Sequence, residues 1–150
     1  MKRILCPTDF SETAAAAERH AVALARALGA ELVLLHVASE ALWRETLGTR
    51  EVRRVFESQR AWVTETLAAR VRELTTGGVS ARSVVKTGVP WREVVGAVEE
   101  EHADMILMGT QGRTGLDRLL IGSVAERVVR HARCPVLTVR PDNRSIGGVS

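Results

Sequence analysis

Five short runs of mostly apolar residues alternate with four stretches of helical spacing along this chain, and that alternation restricts the fold more than any other feature. Strands are expected over 3–7, 31–37, 82–86, 104–108 and 135–139. The run Glu31-Leu32-Val33-Leu34-Leu35-His36-Val37 is nearly unbroken hydrophobe, and Ala103-Asp104-Met105-Ile106-Leu107-Met108 ends in continuous apolar residues. Strands of that kind are covered by helices on both faces. Parallel neighbours must be joined by right-handed crossovers, so the pattern predicts an α/β protein with an open, mostly parallel sheet and helices on both sides.

The intervening helices have recognisable ends. A helix over 11–28 places Ala15, His20, Ala23, Leu24, Ala27 and Leu28 at spacings that suit a packed face, and Gly29 ends it. A long amphipathic helix follows a polar stretch, with Val52, Val55, Phe56, Gln59, Trp62, Val63, Leu67, Val71 and Leu74 at i, i+3, i+4, i+7 spacing and Thr75-Thr76-Gly77-Gly78 as its stop. Pro90 suits the first turn of a helix running to 99, and a last helix opens at Gly122-Ser123 and continues over 124–132. Residues 141–150 have no periodicity and are expected to be a flexible tail, which leaves 1–140 as a single domain, a size that suits one sizeable core.

Composition excludes several classes of function. The 21 basic and 18 acidic residues leave a net charge of +3, with the basic residues spread along helical segments. Only 3% of residues are aromatic, there is no Tyr, and no helix-turn-helix or zinc-finger spacing occurs, so specific nucleic-acid binding is not expected. No apolar stretch approaches the roughly 20 residues a bilayer requires, and the start Met1-Lys2-Arg3-Ile4-Leu5-Cys6-Pro7 is too short in apolar residues for a secretory signal, which implies a cytoplasmic protein without a membrane partner. Cys6 and Cys134 sit in or beside expected strands and form neither a disulfide framework nor a zinc site. His20, His102 and His131 share no metal spacing, and no Ser-His-Asp or Cys-His set is present. His36 reads as a strand histidine satisfied by backbone groups, and Trp43, Trp62 and Trp91 as packing residues.

The chemistry concentrates where the fourth strand gives way to the last helix. Gly109-Thr110-Gln111-Gly112, nine residues, then Gly122-Ser123 puts three glycines and a hydroxyl at this junction. Gly109 and Gly112 are suited to positive φ and to close approach of amides to a ligand, while the helix start at Gly122-Ser123 offers unpaired N–H groups and a positive dipole end to an anion. The same residues also suit a tight connection with a capping serine. Arg113 and Arg118 can screen phosphate charge or lie solvated on the surface, and Thr110 and Thr114 offer hydroxyls. Ligands of open parallel sheets bind beyond the carboxyl ends of the strands where the winding reverses, here between the first and fourth strands. The first delivers Pro7-Thr8-Asp9 to that point. Asp9 can accept from ribose hydroxyls or help hold a phosphate-bound metal; alternatively Asp9-Phe10-Ser11-Glu12 is a capping box in which Asp9 caps the helix and Glu12 reaches back. Neither a Gly-x-x-x-x-Gly-Lys-Ser/Thr loop nor a Gly-x-Gly-x-x-Gly after the first strand occurs, which argues against classical P-loop ATPases and dinucleotide dehydrogenases.

Taken together, Ile4-Leu5-Cys6-Pro7-Thr8-Asp9-Phe10-Ser11, Leu34-Leu35-His36-Val37, Asp104-Met105-Ile106-Leu107-Met108-Gly109, the Gly109-x2-Gly112-x9-Gly122-Ser123 spacing and Cys134-Pro135-Val136-Leu137-Thr138-Val139 resemble the universal stress protein family over residues 1 to about 140. The resemblance implies a Rossmann-like, adenine nucleotide alpha hydrolase-like fold with strand order 3-2-1-4-5 and a homodimer through antiparallel pairing of the last strand, Val136–Val139. Self-pairing there would cover an otherwise open edge. The glycine motif is complete, as in the ATP-binding members. The resemblance implies Pro7, Thr8 and Asp9 near adenosine, Val37 making backbone contacts to adenine, Met108 and Gly109 lining the base and ribose crevice, and Gly112, Gly122, Ser123 and Val124 around the phosphates. Magnesium or manganese would arrive with the triphosphate, held mostly by phosphate and water, with no protein metal site. The function so implied is an ATP-binding stress-response switch or interaction module, with at most slow ATP hydrolysis and no assigned catalytic residue. Two alternatives stand beside it: a nucleotide-independent dimeric scaffold, and an enzyme cleaving ATP between its α and β phosphates, although the Ser-Gly-Gly-x-Asp-Ser pattern usual for the latter is replaced by Pro7-Thr8-Asp9-Phe10-Ser11.

Overall fold

A computed structural model of the chain describes residues 1–39, 48–111 and 121–140. The expectations for Gly112, Arg113, Thr114, Arg118, Trp43 and the tail 141–150 lie outside the described residues. Within them, β1 (Arg3–Pro7), α1 (Glu12–Leu28), β2 (Glu31–Ala38), α2 (Thr49–Thr76), β3 (Ala81–Thr87), α3 (Pro90–Glu100), β4 (Met105–Gly109), α4 (Ser123–His131) and β5 (Val136–Val139) follow in order. The strands form one parallel sheet in the order β3-β2-β1-β4-β5, a Rossmann-like arrangement.

Alternation along each strand divides the core. Ile4, Cys6, Leu32, Leu34 and Leu107 face α1 and α2, whereas Leu5, Val33, Leu35, Ile106 and Met108 face α3 and α4. The chain therefore passes from β1 to a helix on one face and from β4 to a helix on the other. Burial pushes the Cys6 thiol far above its ordinary pKa and, less strongly, raises that of Cys134, so both resist forming thiolate. Among the described residues, no helix is long and apolar enough to cross a membrane.

Two helical faces differ from those read in the sequence. In α1 the residues turned to the sheet are Thr13, Ala14, Ala16, Ala17, Ala21 and Ala25, while Ala15, His20, Ala23, Ala27 and Leu28 are exposed and Leu24 is half-buried. Alanines win this face because they let the helix backbone approach the sheet closely, and the larger leucines are left at its margin. In α2 only Val63, Leu67 and Leu74 are buried. A helix of 28 residues is about 42 Å long against about 26 Å for an eight-residue strand, so roughly its first ten residues extend past the sheet. Trp62, further along the helix, is 55% exposed instead of inside the core.

The amino edge of the sheet is closed by charge. Glu31 accepts from Arg3 Nε at 2.6 Å and from Arg82 Nε at 2.9 Å, and Arg82 also reaches Glu101 at 2.5 Å. Asp104 accepts from the amides of Lys2 at 2.7 Å and Arg3 at 2.9 Å, and those bonds lower its pKa. For Glu31, partial burial opposes ionisation, but the combined hydrogen bonds and charges of Arg3 and Arg82 outweigh it and lower the carboxyl pKa. A lowered folded-state pKa stabilises the fold fully above the unfolded value, about 4.3 for Glu and about 3.9 for Asp, and the contribution is lost as pH falls through the folded value. Replacing Glu31 with Gln is expected to reduce stability at neutral pH by about 1 kcal/mol. It should also make the loss of stability below about pH 4.3 shallower, as read from thermal unfolding across pH.

Candidate functional site

Because β1 feeds one face and β4 the other, the carboxyl ends of these adjacent strands open into a cavity of about 280 Å³. Pro7, Thr8 and Asp9 enter it from β1, and Leu35 and Val37 from β2. Met108, Gly109, Thr110 and Gln111 come from β4 and its exit, and Gly122, Ser123, Val124 and Ala125 from the start of α4. Pro90 and Val94 of α3, with Ala14 of α1, complete the wall. The structure thus brings together Pro7, Thr8, Asp9, Val37, Met108, Gly109, Gly122, Ser123 and Val124. Pro90 and Val94 were not picked out in the sequence, since they carry no polar signal and reach the site only through the packing of α3.

The apolar end has a hydrogen-bonding edge. Glu31 donates its amide to Lys2, and Leu35 accepts from Thr8 N–H at 2.8 Å, so odd-numbered residues of β2 direct their main chain toward β1. Val37 has the same parity, but β1 ends at Pro7, opposite Leu35. Its N–H and C=O consequently have no partner among the described residues and lie beside Leu35, Pro90, Val94 and Met108 in the cavity wall. This is a donor and an acceptor in one row against an apolar slot.

The opposite end is a helix start. Gly122 is the N-cap of α4, and no side chain among the described residues caps it. The Gly122 amide is not a free donor, because it is given to Thr110 O at 2.5 Å. The next amides, of Ser123, Val124 and Ala125, have no partner among the described residues and sit in the cavity wall at the positive end of the helix.

Two readings of single residues are corrected. Gly109 is not in a positive-φ conformation; a Cβ there would lie 2.6 Å from Thr13 Cγ2 and 3.1 Å from Thr13 main-chain atoms, so close packing of α1 requires the glycine. Asp9 does not cap α1. Ser11 is the N-cap and accepts from Ala14 N–H at 3.1 Å, while Asp9 Oδ1 accepts from Ser11 N–H at 3.0 Å. The other Asp9 oxygen keeps its acceptor capacity, with no partner among the described residues. His36 behaves as read, with Nδ1 2.8 Å from Thr8 O.

The chain matches the universal stress protein family over residues 1–140. It is 37% identical to universal stress protein MJ0531 of Methanocaldococcus jannaschii over 141 residues, covering 93% of this chain and 82% of the relative. The chain belongs to the universal stress protein family. Universal stress protein MJ0577 of the same organism is 34% identical, covering 95% of this chain and 96% of the relative. The solved structure of MJ0577 aligns with a TM-score of 0.75 at 36% identity, covering 95% of this chain and 97% of that one. Universal stress protein UspA from Lactobacillus plantarum aligns with a TM-score of 0.82 at 24% identity, covering 93% of this chain and 97% of that one, which establishes the shared fold.

The Gly109 contact yields a test that separates packing from ligand approach. Gly109→Ala is expected to destabilise the protein by about 1–3 kcal/mol in urea unfolding. Thr13→Ser in the same chain, which removes the 2.6 Å contact, should restore part of that loss.

Proposed function

We propose that this universal stress protein binds an adenine nucleotide, ATP in particular, in the cavity between β1 and β4, as a cytoplasmic stress-response switch or interaction module. The observation that carries the reading is the presence, at opposite ends of one cavity, of two main-chain sets that have no partner among the described residues. At one end the Val37 N–H and C=O match the ring nitrogen acceptor and exocyclic amino donor on one edge of adenine, beside an apolar slot that suits the ring. At the other end the amides of Ser123, Val124 and Ala125 and the Ser123 hydroxyl suit phosphate oxygens. Asp9 lines the space between with acceptor capacity for ribose hydroxyls. Gly112, by its place in the motif, and Arg113, as the cation next to it in the sequence, are proposed as further phosphate contacts.

Among the described residues, no group of three His, Cys, Asp or Glu is placed to hold a metal. Magnesium or manganese carried by a triphosphate would therefore take most of its ligands from phosphate and water, with Asp9 as a nearby carboxylate. Two solved universal stress proteins are in complex with cAMP and with dAMP. At 20% and 21% identity they share the fold with this chain, and the proposal for its own residues rests on the cavity.

The switch would act as a homodimer through β5, with residues 1–140 as the nucleotide-binding unit. Among the described residues Val136–Val139 pairs with β4 alone, and Leu137 is 45% exposed on this edge strand. One observation favours a second reading, a nucleotide-independent scaffold: packing against Thr13 accounts for Gly109 without any ligand.

Ser123→Pro separates the two. Gly122 already has ψ 156, which a following proline accepts, and proline is tolerated in the first turn of a helix. Loss of one amide and the hydroxyl is expected to weaken ATP binding about tenfold or more in calorimetry while leaving adenosine binding and thermal stability nearly unchanged. Absence of saturable ATP binding by the unaltered protein would overturn the switch and leave the scaffold. Leu137→Arg is expected to convert a dimer to a monomer in analytical ultracentrifugation without unfolding, since the side chain is exposed in the single chain.

A further inference from the structure

The loop that delivers Asp9 to the cavity is braced from the opposite side of the sheet. Phe10 has φ 63, the left-handed conformation that costs a bulky residue about 1–2 kcal/mol unless its surroundings compensate. Its surroundings are two aromatic rings. The Phe10 ring lies 5.1 Å from the His36 ring and meets the Trp62 ring edge-on at 5.2 Å and 64°. His36 Nδ1 is bonded to Thr8 O at 2.8 Å, the Phe10 amide donates to Thr8 Oγ1 at 3.1 Å, and Ser11 N–H holds Asp9 Oδ1 at 3.0 Å. Thr8 and Asp9 line the cavity, whereas Phe10 packs against the core shared with α1 and α2.

Successive residues of this turn thus point to opposite sides, and the direction of the Asp9 carboxylate depends on where Phe10 is held. Trp62 is the outer part of that hold. It is 55% exposed and belongs to α2, none of whose residues lines the cavity. An exposed tryptophan contributes little to the core, yet this one closes the aromatic contact that keeps a strained residue in place.

We propose that Phe10 and Trp62 are positioning residues for the Asp9 carboxylate, so that selectivity for the ribose hydroxyls of the bound nucleotide is set from a helix outside the cavity. The proposal rests on the adenine-nucleotide reading above. It gives α2 a route to the site, because anything that moves Trp62 moves the acceptor that Asp9 presents.

The test compares binding of ATP and of 2′,3′-dideoxy-ATP by calorimetry in the full chain, with thermal melts to confirm folding. The unaltered protein is expected to prefer ATP by about tenfold, and Asp9→Asn to lose most of that preference. Trp62→Ala is expected to reduce the preference at least threefold while leaving dideoxy-ATP affinity within about twofold, and Trp62→Phe, which keeps an aromatic edge on Phe10, to retain it. Phe10→Gly, which relieves the left-handed strain but removes the ring, should match Trp62→Ala or exceed it. A ratio unchanged in Trp62→Ala and Phe10→Gly, or equal losses for both nucleotides, overturns the positioning role while the nucleotide reading stands. If the unaltered protein binds neither nucleotide, the underlying reading fails instead.

Discussion

The separation of two neighbouring strands at their carboxyl ends governs this molecule. β1 turns into a helix on one face of the sheet and β4 leads to a helix on the other, so their carboxyl ends diverge. Everything in the site follows from that divergence. Among the described residues the Val37 main chain has no partner because β1 stops opposite Leu35, and the start of α4 lines the same space.

The same divergence demands tight packing where the two strands still touch. Gly109 lies against Thr13 at a distance that excludes a side chain, and α1 meets the sheet through alanines. These small residues bring the first turn of α1, with Ser11 as its cap and Ala14 in the cavity wall, close to the exit of β4. Glycine in the motif therefore serves the frame of the site as well as its surface. At the far edge of the sheet, the Arg3, Glu31, Arg82 and Glu101 network ties β1, β2 and β3 to the end of α3, so the strands that carry the cavity are anchored at the end away from it.

Membership of the universal stress protein family fits this frame, and much of it was legible in the residues. The strand runs were visible because strands covered on both faces must be apolar throughout, and Gly29 was visible because a helix that ends in a left-handed residue favours glycine there. The residues near Pro7, Val37, Met108 and Gly122 meet at one cavity because strand order places their carboxyl ends together. Less legible was which alternative a versatile residue adopts. Asp9 and Ser11 both suit a helix cap, and only the path of the loop through Phe10 assigns the cap to Ser11. The spacing in α1 put Ala15, His20, Ala23, Leu24, Ala27 and Leu28 on the packed face, but the fold turned Ala14, Ala16, Ala17, Ala21 and Ala25 to the sheet.

The sequence alone determined the element order, the parallel sheet with helices on both faces, the glycine-rich junction and the family resemblance, because these depend on local periodicity and on residues adjacent in the chain. Only the tertiary structure decided that the Gly122 amide is spent on Thr110, that Gly109 answers to Thr13, that Pro90 and Val94 wall the cavity, and that Trp62 leans on Phe10. Each of these joins residues from different elements. Whether a donor is free or a face is buried depends on what the rest of the fold places against it, and no local pattern carries that information.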